Sequence, residues 1–522
     1  MKNKIARVVN HDFQRKAAKT QSRQAKTLKT SAPLYLFAFA LNLSVTMKKD
    51  ALRKKPADAF SLSREFVEES FDRVTGAELL TGNEIRLLKD AAENYPAWLA
   101  AIEAARHYVF FESYIIHEDE QGAIFADALI KKAKEGVSVK LIYDWMGGFG
   151  KTSRKFWRRL RDGGVDVRCY NPPNLFDPLM ILVRDHRKSL IVDGAVAFVT
   201  GLCVGQDWVG RPEKNMPAWR DTGVELRGAA VAAVERAFAN IWATMGAPLD
   251  KKLLTGHKDR SKAGNVALRV VEGVPSSSHI YRIDQILAAG ARGSMWLTDA
   301  YFVGVPAYLQ SIKDAARDGV DVRILVPQST DIGLIRDTTR STYRAMLEAG
   351  VRVFEWNGSM VHAKTAVFDG RFSRVGSTNL NVASWFGNYE LDVLVEDEDF
   401  GRQMQEMFLA DLENSTEIIL TEMHRTHRVG RKHRLRGRGA GSMRKATAGA
   451  INAATSIGAV ITKQAPLGAA EAKLLFLVGA ALLALALLLI FFPRIASIPL
   501  VIILLMLALP TLMKALRNYR NN

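Results

Sequence analysis

Through the middle of the chain, short runs of alternating apolar and polar residues each follow a longer stretch with helical spacing. The runs Gly136-Val-Ser-Val-Lys-Leu-Ile-Tyr-Asp, Gly164-Val-Asp-Val-Arg-Cys-Tyr, Gly319-Val-Asp-Val-Arg-Ile-Leu-Val-Pro and Gly350-Val-Arg-Val-Phe-Glu-Trp open on glycine and continue with valine at every second place. Helical patterns at 125–135, 308–318 and 344–349 precede several of them. A glycine that closes a helix, followed by period-two alternation, predicts a helix-to-strand connection. Repeated alternation of this kind predicts an α/β fold with helices layered on a central sheet in each half.

The pattern occurs twice. His107-Tyr-Val-Phe-Phe-Glu-Ser-Tyr is answered by Ser294-Met-Trp-Leu-Thr-Asp-Ala-Tyr. His186-Arg-Lys-Ser-Leu-Ile-Val-Asp-Gly is answered 176 residues later by His362-Ala-Lys-Thr-Ala-Val-Phe-Asp-Gly. So long a period means two similar α/β sandwich domains, not a solenoid of short units. The predicted organisation is a basic extension over 1–70, a first domain over 71–250 and a second over 251–420. A basic linker over 421–470 and two transmembrane helices over 471–522 complete it.

Near the C-terminus the patterning stops. Leu474 to Phe492 and Ile495 to Met513 are each 19 residues without a charge, separated only by Pro493-Arg494. A bilayer core takes about twenty apolar residues in a helix, so the pair predicts a hairpin that crosses twice. Arg425 to Lys445 is rich in Arg and Lys and has no acid, and Lys514, Arg517 and Arg520 follow the second span. Both flanks then stay on the cytoplasmic side of the membrane, with Arg494 as a dissenting charge. Residues 1–46 are basic and moderately apolar; a presequence, a surface helix, a weak span and an extension upstream of Met47 all fit them.

Charge sharpens the picture. The 522 residues carry a formal charge of +18, which points to anionic partners: lipid headgroups, phosphorylated substrates or nucleic acid. A basic tail beside a membrane span favours anionic phospholipids over nucleic acid. Cys169 and Cys203 are too few for a disulfide framework or a four-ligand zinc site, and they suggest a reducing compartment.

The chemistry concentrates in the pair His186-x-Lys188-x4-Asp193 and His362-x-Lys364-x4-Asp369. On a strand, residues two apart share a face, so each histidine projects with its lysine. The residues between are mostly apolar, and Asp-Gly closes each motif in a tight turn. After the motifs come Val199-Thr-Gly-Leu-Cys-Val and Val375-Gly-Ser-Thr-Asn-Leu, then Trp219-Arg-Asp221 and Asn388-Tyr-Glu390. Over residues 83–415 this duplicated set resembles the phospholipase D superfamily, and within it the bacterial cardiolipin synthase group.

The resemblance implies phosphodiester chemistry through a phosphohistidine, with no cofactor and no metal. His186 is the nucleophile by that analogy and His362 the acid and base; the sequence does not settle their order. Lys188 and Lys364 hold the non-bridging oxygens. Asp193 and Asp369 sit a strand's length from the histidines, and structural and catalytic roles are both open. Asp221 and Glu390 are better placed to orient an imidazole. Ser377 and Asn379 support the second side, where the first has Cys203 in place of the family's usual asparagine. A packed thiol and a reactive one are both readings of Cys203. Segments 174–182 and Trp385-Phe386 fit either a lipid groove or ordinary core. The implied reaction is cardiolipin synthesis from phosphatidylglycerol, with a hydrolytic phospholipase D and a nuclease of the same superfamily as alternatives.

Overall fold

The computed structural model describes residues 71–420 except 175–181, 251–252 and 255–261, together with 426–429 and the single positions Glu69, Ala480 and Leu483. The first repeat runs β1 (Leu80–Lys89), α1 (Asp90–Ala104), β2 (Tyr108–Ser113), α2 (Glu120–Lys134), β3 (Ser138–Asp144), α3 (Arg154–Asp162) and β4 (Asp166–Tyr170). It continues with β5 (Lys188–Val192), β6 (Val196–Thr200), β7 (Thr222–Arg227) and α4 (Ala229–Thr244). The second runs β8 (Val266–Gly273), α5 (His279–Gly290), β9 (Ser294–Asp299), α6 (Pro306–Arg317), β10 (Asp321–Pro327), α7 (Gly333–Leu347) and β11 (Arg352–Trp356). It ends with β12 (Lys364–Phe368), β13 (Phe372–Gly376), β14 (Glu390–Glu396), α8 (Glu398–Glu413), β15 (Ser415–Leu420) and β16 (Thr426–Val429).

The glycines that open the alternating runs explain the helix ends. Gly136, Gly164, Gly319 and Gly350 all have φ between +89° and +94°. In each case the amide after the glycine donates back to the carbonyl five residues earlier, as Val137 does to Lys132 and Val351 to Met346. That is the Schellman ending, which a side chain at the glycine would strain.

One sheet carries both repeats, in the order β16-β15-β11-β10-β9-β12-β13-β14-β8-β1-β7-β6-β5-β2-β3-β4. Each repeat contributes the same order over seven strands, and β15 and β16 extend the second beyond β11. The sequence suggests a sheet for each half, but the two are fused edge to edge where β1 and β8 pair antiparallel at Leu80–Leu268 and Asn83–Val266. Equivalent strands meeting antiparallel relate the halves by an approximate two-fold axis. Separate apolar clusters fill each half, around Trp98, Phe111 and Phe125 in the first and Ile324, Tyr308 and Trp385 in the second. A third, with Phe238, Trp242 and Leu268, lies under the seam, where alanine-rich α4 packs closely.

This topology gathers one edge of the sheet. Ser113 at the end of β2 faces Lys188 at the start of β5, and Asp299 at the end of β9 faces Lys364. The starts of β7 and β14 lie at the same edge, beside the ends of β6 and β13. Carboxyl ends of parallel strands are where α/β sheets place their ligands. Among the described residues no helix is long and apolar enough to cross a membrane, and the hairpin expected over 474–513 lies outside them.

Candidate active site

The segment leading into each motif is stitched to the opposite repeat. The His186 amide donates to the Tyr389 carbonyl at 2.9 Å, and the Tyr389 amide to Arg184 at 2.8 Å. In mirror fashion, the Arg220 amide donates to Met360 at 2.9 Å and the His362 amide to Arg220 at 2.6 Å. Each histidine is therefore carried beside the residue that follows in the other half, Glu390 or Asp221.

The carboxylates are crossed. His186 Nδ1 lies 2.9 and 3.0 Å from the Glu390 oxygens, and His362 Nδ1 lies 2.7 Å from Asp221 Oδ2. Both acids are fully buried. A carboxylate on Nδ1 fixes the tautomer with its proton there and leaves Nε2 with a free lone pair. Glu390 is held in turn by the Ser377 hydroxyl at 2.5 Å and the Asn388 amide at 3.3 Å. Asp221 has no such serine, because Gly201 stands at the matching place and a Cβ there would come within 2.2 Å of Oδ1. Instead the Trp208 indole donates to Asp221 Oδ2 at 3.0 Å, and the Thr222 amide to Oδ1 at 2.8 Å. Trp208 also presents its edge to the His362 ring, 5.5 Å between centroids, and Trp219 lies against the same ring at 5.5 Å. Replacing Trp208 with Phe keeps the packing and removes the donor. Turnover should fall about tenfold with little change in melting temperature; an equal turnover in the variant would rule the indole out as a positioning group.

Each lysine ammonium turns back to the carbonyl of its own histidine. Both lysine charges act on both imidazoles, so the two repeats share one site. Burial holds the His362 imidazolium down to about 3, and Lys364 and Lys188 add to this against Asp221. His186 is also held below its ordinary value, by burial first, with Glu390 opposing and both lysines reinforcing. Burial lowers Lys364 to about 8; Asp221 counters it and Lys188 adds to it. Two buried lysines thus stand beside two imidazoles that burial keeps neutral, an arrangement that can receive an anion. Lys364 is cationic below about pH 8 and neutral above it. The KM for an anionic substrate should therefore rise as pH climbs through 8, and a flat KM from pH 7 to 10 would contradict this.

Other candidate residues fall in different places. Asp193 accepts the amides of Arg106, His107 and Tyr108 at 2.7–2.8 Å, and Asp369 those of Arg292, Gly293 and Ser294 at 2.7–3.0 Å. Both have positive φ in the Asp-Gly turns, at the far end of their strands. Seven residues at about 3.3 Å each put them roughly 20 Å from the histidines. Asn379 is buried, and among the described residues its Oδ1 has no hydrogen-bond partner. Cys203 is buried within electrostatic reach of both lysines, with its thiol pushed up by burial. Trp385 is core: it is buried, bonds Asp284 at 3.2 Å and packs on Tyr308. Residues 175–181 of the other candidate groove lie outside the described residues. Sequence reasoning missed Arg187, the variable residue inside the first motif. It is buried and donates to the Glu390 carbonyl at 3.1 Å, to Ala237 at 2.9 Å and to Glu272 at 3.1 Å, bracing the strand that carries Glu390.

A family model described as "Cardiolipin synthase, PLD-like domain" matches residues 98–242 and 283–412, more than half of the chain and both crossed sites. The chain belongs to the phospholipase D superfamily. It is an enzyme of this superfamily, a phosphatidyltransferase by kind. Among its superfamily relatives, cardiolipin synthase 2 of Bacillus anthracis is 33% identical over 373 residues, 68% of this chain and 70% of that one. Cardiolipin synthase A of Pseudomonas putida (strain GB-1) is 29% identical over 386 residues, 73% of this chain and 78% of that one. The solved phosphatidylserine synthase of Haemophilus influenzae Rd KW20 shares the phospholipase D fold, with a TM-score of 0.55 at 13% identity over 67% of this chain and 92% of that one.

Proposed function

We propose that this enzyme makes cardiolipin, transferring the phosphatidyl group of one phosphatidylglycerol to the glycerol hydroxyl of another and releasing glycerol. The observation that carries the reading is the pair of crossed histidine–carboxylate bonds beside two lysines. His186 Nε2 attacks phosphorus, the P–O bond to glycerol breaks, and His362 Nε2 delivers the proton that the leaving oxygen needs. His362, neutral again, takes the proton of the incoming hydroxyl. That oxygen attacks phosphorus, and the P–N bond to His186 breaks. Lys188 and Lys364 hold the non-bridging oxygens. The protonated His362 that the first step requires comes with the substrate. A phosphodiester anion between the lysines offsets their charge and stabilises the imidazolium against the burial that otherwise keeps it neutral.

Asp221 and Glu390 act as orienting bases for their histidines, and Asp193 and Asp369 act in holding the strands. The likeness to cardiolipin synthases supports anionic phospholipids as substrate and partner. The apolar stretches 474–492 and 495–513 would anchor the two phospholipase D-like domains to the cytoplasmic face of a bacterial inner membrane. Purified protein in vesicles of phosphatidylglycerol tests the reading by mass analysis of products. Cardiolipin with equimolar glycerol is expected; phosphatidic acid would make the enzyme a hydrolase, and DNA cleavage without lipid turnover a nuclease.

A further inference from the structure

The two repeats differ in length where the first crosses from β6 to β7. From Thr200 to Asp221 is 21 residues, whereas the matching step from Gly376 to Glu390 is 14. The second repeat shows that the fold closes without the extra seven. In the first they build a small antiparallel loop over residues 209–218. The Arg211 amide donates to the Met216 carbonyl at 2.7 Å and the Met216 amide returns to Arg211 at 3.0 Å. Gly210 at φ +77° and Asn215 at φ +53° make the bends, and Pro212 and Pro217 stiffen them.

This loop closes on its own backbone hydrogen bonds yet leaves apolar surface in solvent. Met216 is 48% exposed and Val209 39%. Arg211 and Lys214 lie on the same short loop, with Glu213 as its one acid. Phe149, 40% exposed, rises from a neighbouring loop. Segment 117–119 joins the two: the Glu118 amide donates to Lys151 at 3.1 Å, and the Gln206 amide to Asp119 at 2.8 Å. Both feet of the loop stand on the site. Trp208 holds Asp221, Trp219 lies on His362, and the Trp219 amide donates to the Asp207 carbonyl at 3.0 Å.

We infer that residues 209–218 are a membrane-docking loop, which sets Met216 and Val209 among the acyl chains of an anionic bilayer, Arg211 and Lys214 at its headgroups, and His362 directly behind. The inference rests on the lipid-transferring function proposed above. Exposed apolar residues flanked by cations are what an interfacial element presents. A preformed loop loses little entropy on insertion. Its position would feed lipid from the bilayer edge to phosphorus without full extraction into water.

The test uses the full chain in proteoliposomes. In a Cys169→Ser background, Met216→Cys carries an environment-sensitive fluorophore, and Asp318→Cys, at the opposite edge of the sheet, serves as control. Lipids bearing nitroxides on their acyl chains should quench the probe at 216 at least threefold more than at 318. Equal quenching, or a probe at 216 that shifts to the blue without quenching (a second copy of the chain covering the loop), would overturn the inference. This readout needs no turnover, so it stands apart from the identity of the substrate. A second arm compares rates. Met216→Asp with Val209→Asp should lower turnover of vesicle phosphatidylglycerol about tenfold while leaving a dispersed short-chain phosphodiester unaffected. Arg211→Gln should cost about fivefold on anionic vesicles, the equivalent of about 1 kcal/mol for one cation at the surface. Equal losses on vesicle and dispersed substrate would mean that the loop serves the fold and not the membrane.

Discussion

With a p-nitrophenyl phosphodiester as donor, His362→Ala is expected to release one equivalent of nitrophenol and then stall, while His186→Ala releases none. The reason is the leaving group. Nitrophenolate departs without a proton, so the first transfer needs the nucleophile alone, whereas attack by an alcohol still needs a base. Against phosphatidylglycerol both variants should lose at least about 10⁴-fold in turnover, as removal of one member of a catalytic unit generally does. Rapid mixing, with acid-labile phosphate on the trapped protein, separates the roles. A burst from His186→Ala and none from His362→Ala would exchange them. The structure does not make the two imidazoles equivalent. His362 is the more enclosed, with Trp208, Trp219 and Tyr301 around its ring, where His186 has Tyr114.

A second pair of variants separates two kinds of carboxylate. Glu390→Gln keeps the shape and removes the charge that fixes the His186 tautomer, and turnover should fall by about 10³- to 10⁴-fold with folding nearly intact. Asp369→Asn should do the reverse. Its carboxylate receives three backbone amides at the start of β9. Charge-assisted bonds of that kind, partly exposed to water, leave a loss of about 2 kcal/mol in stability and little in turnover at a temperature where the variant stays folded. Melting curves and rates measured on both proteins decide the matter. Equal losses in both measures for the two variants would dissolve the distinction.

Much of this arrangement is legible in the residues, because duplication prints it twice. The His-x-Lys pairs, the Asp-Gly turns and the glycine-ended helices all rest on local rules of period and φ, which sequence carries openly. Asp221 and Glu390 also stand out as matched positions. Their crossing does not. It depends on the seam between β1 and β8, and the β1 run Leu-Thr-Gly-Asn-Glu offers no apolar alternation that would mark it as the middle of a sheet. Arg187 hides at a position that the motif leaves free. Trp208 hides because its partner is set by what Gly201 lacks, and a missing side chain has no pattern.

The crossed bonds bear on how such a molecule could have come about. A lone repeat would carry an imidazole with no carboxylate on its Nδ1 and a carboxylate with no imidazole to orient. The crossed site therefore needs two repeats meeting edge to edge, and carrying both in one polypeptide guarantees the encounter while leaving each free to differ. Serine beneath one acid and indole above the other are the marks of that divergence.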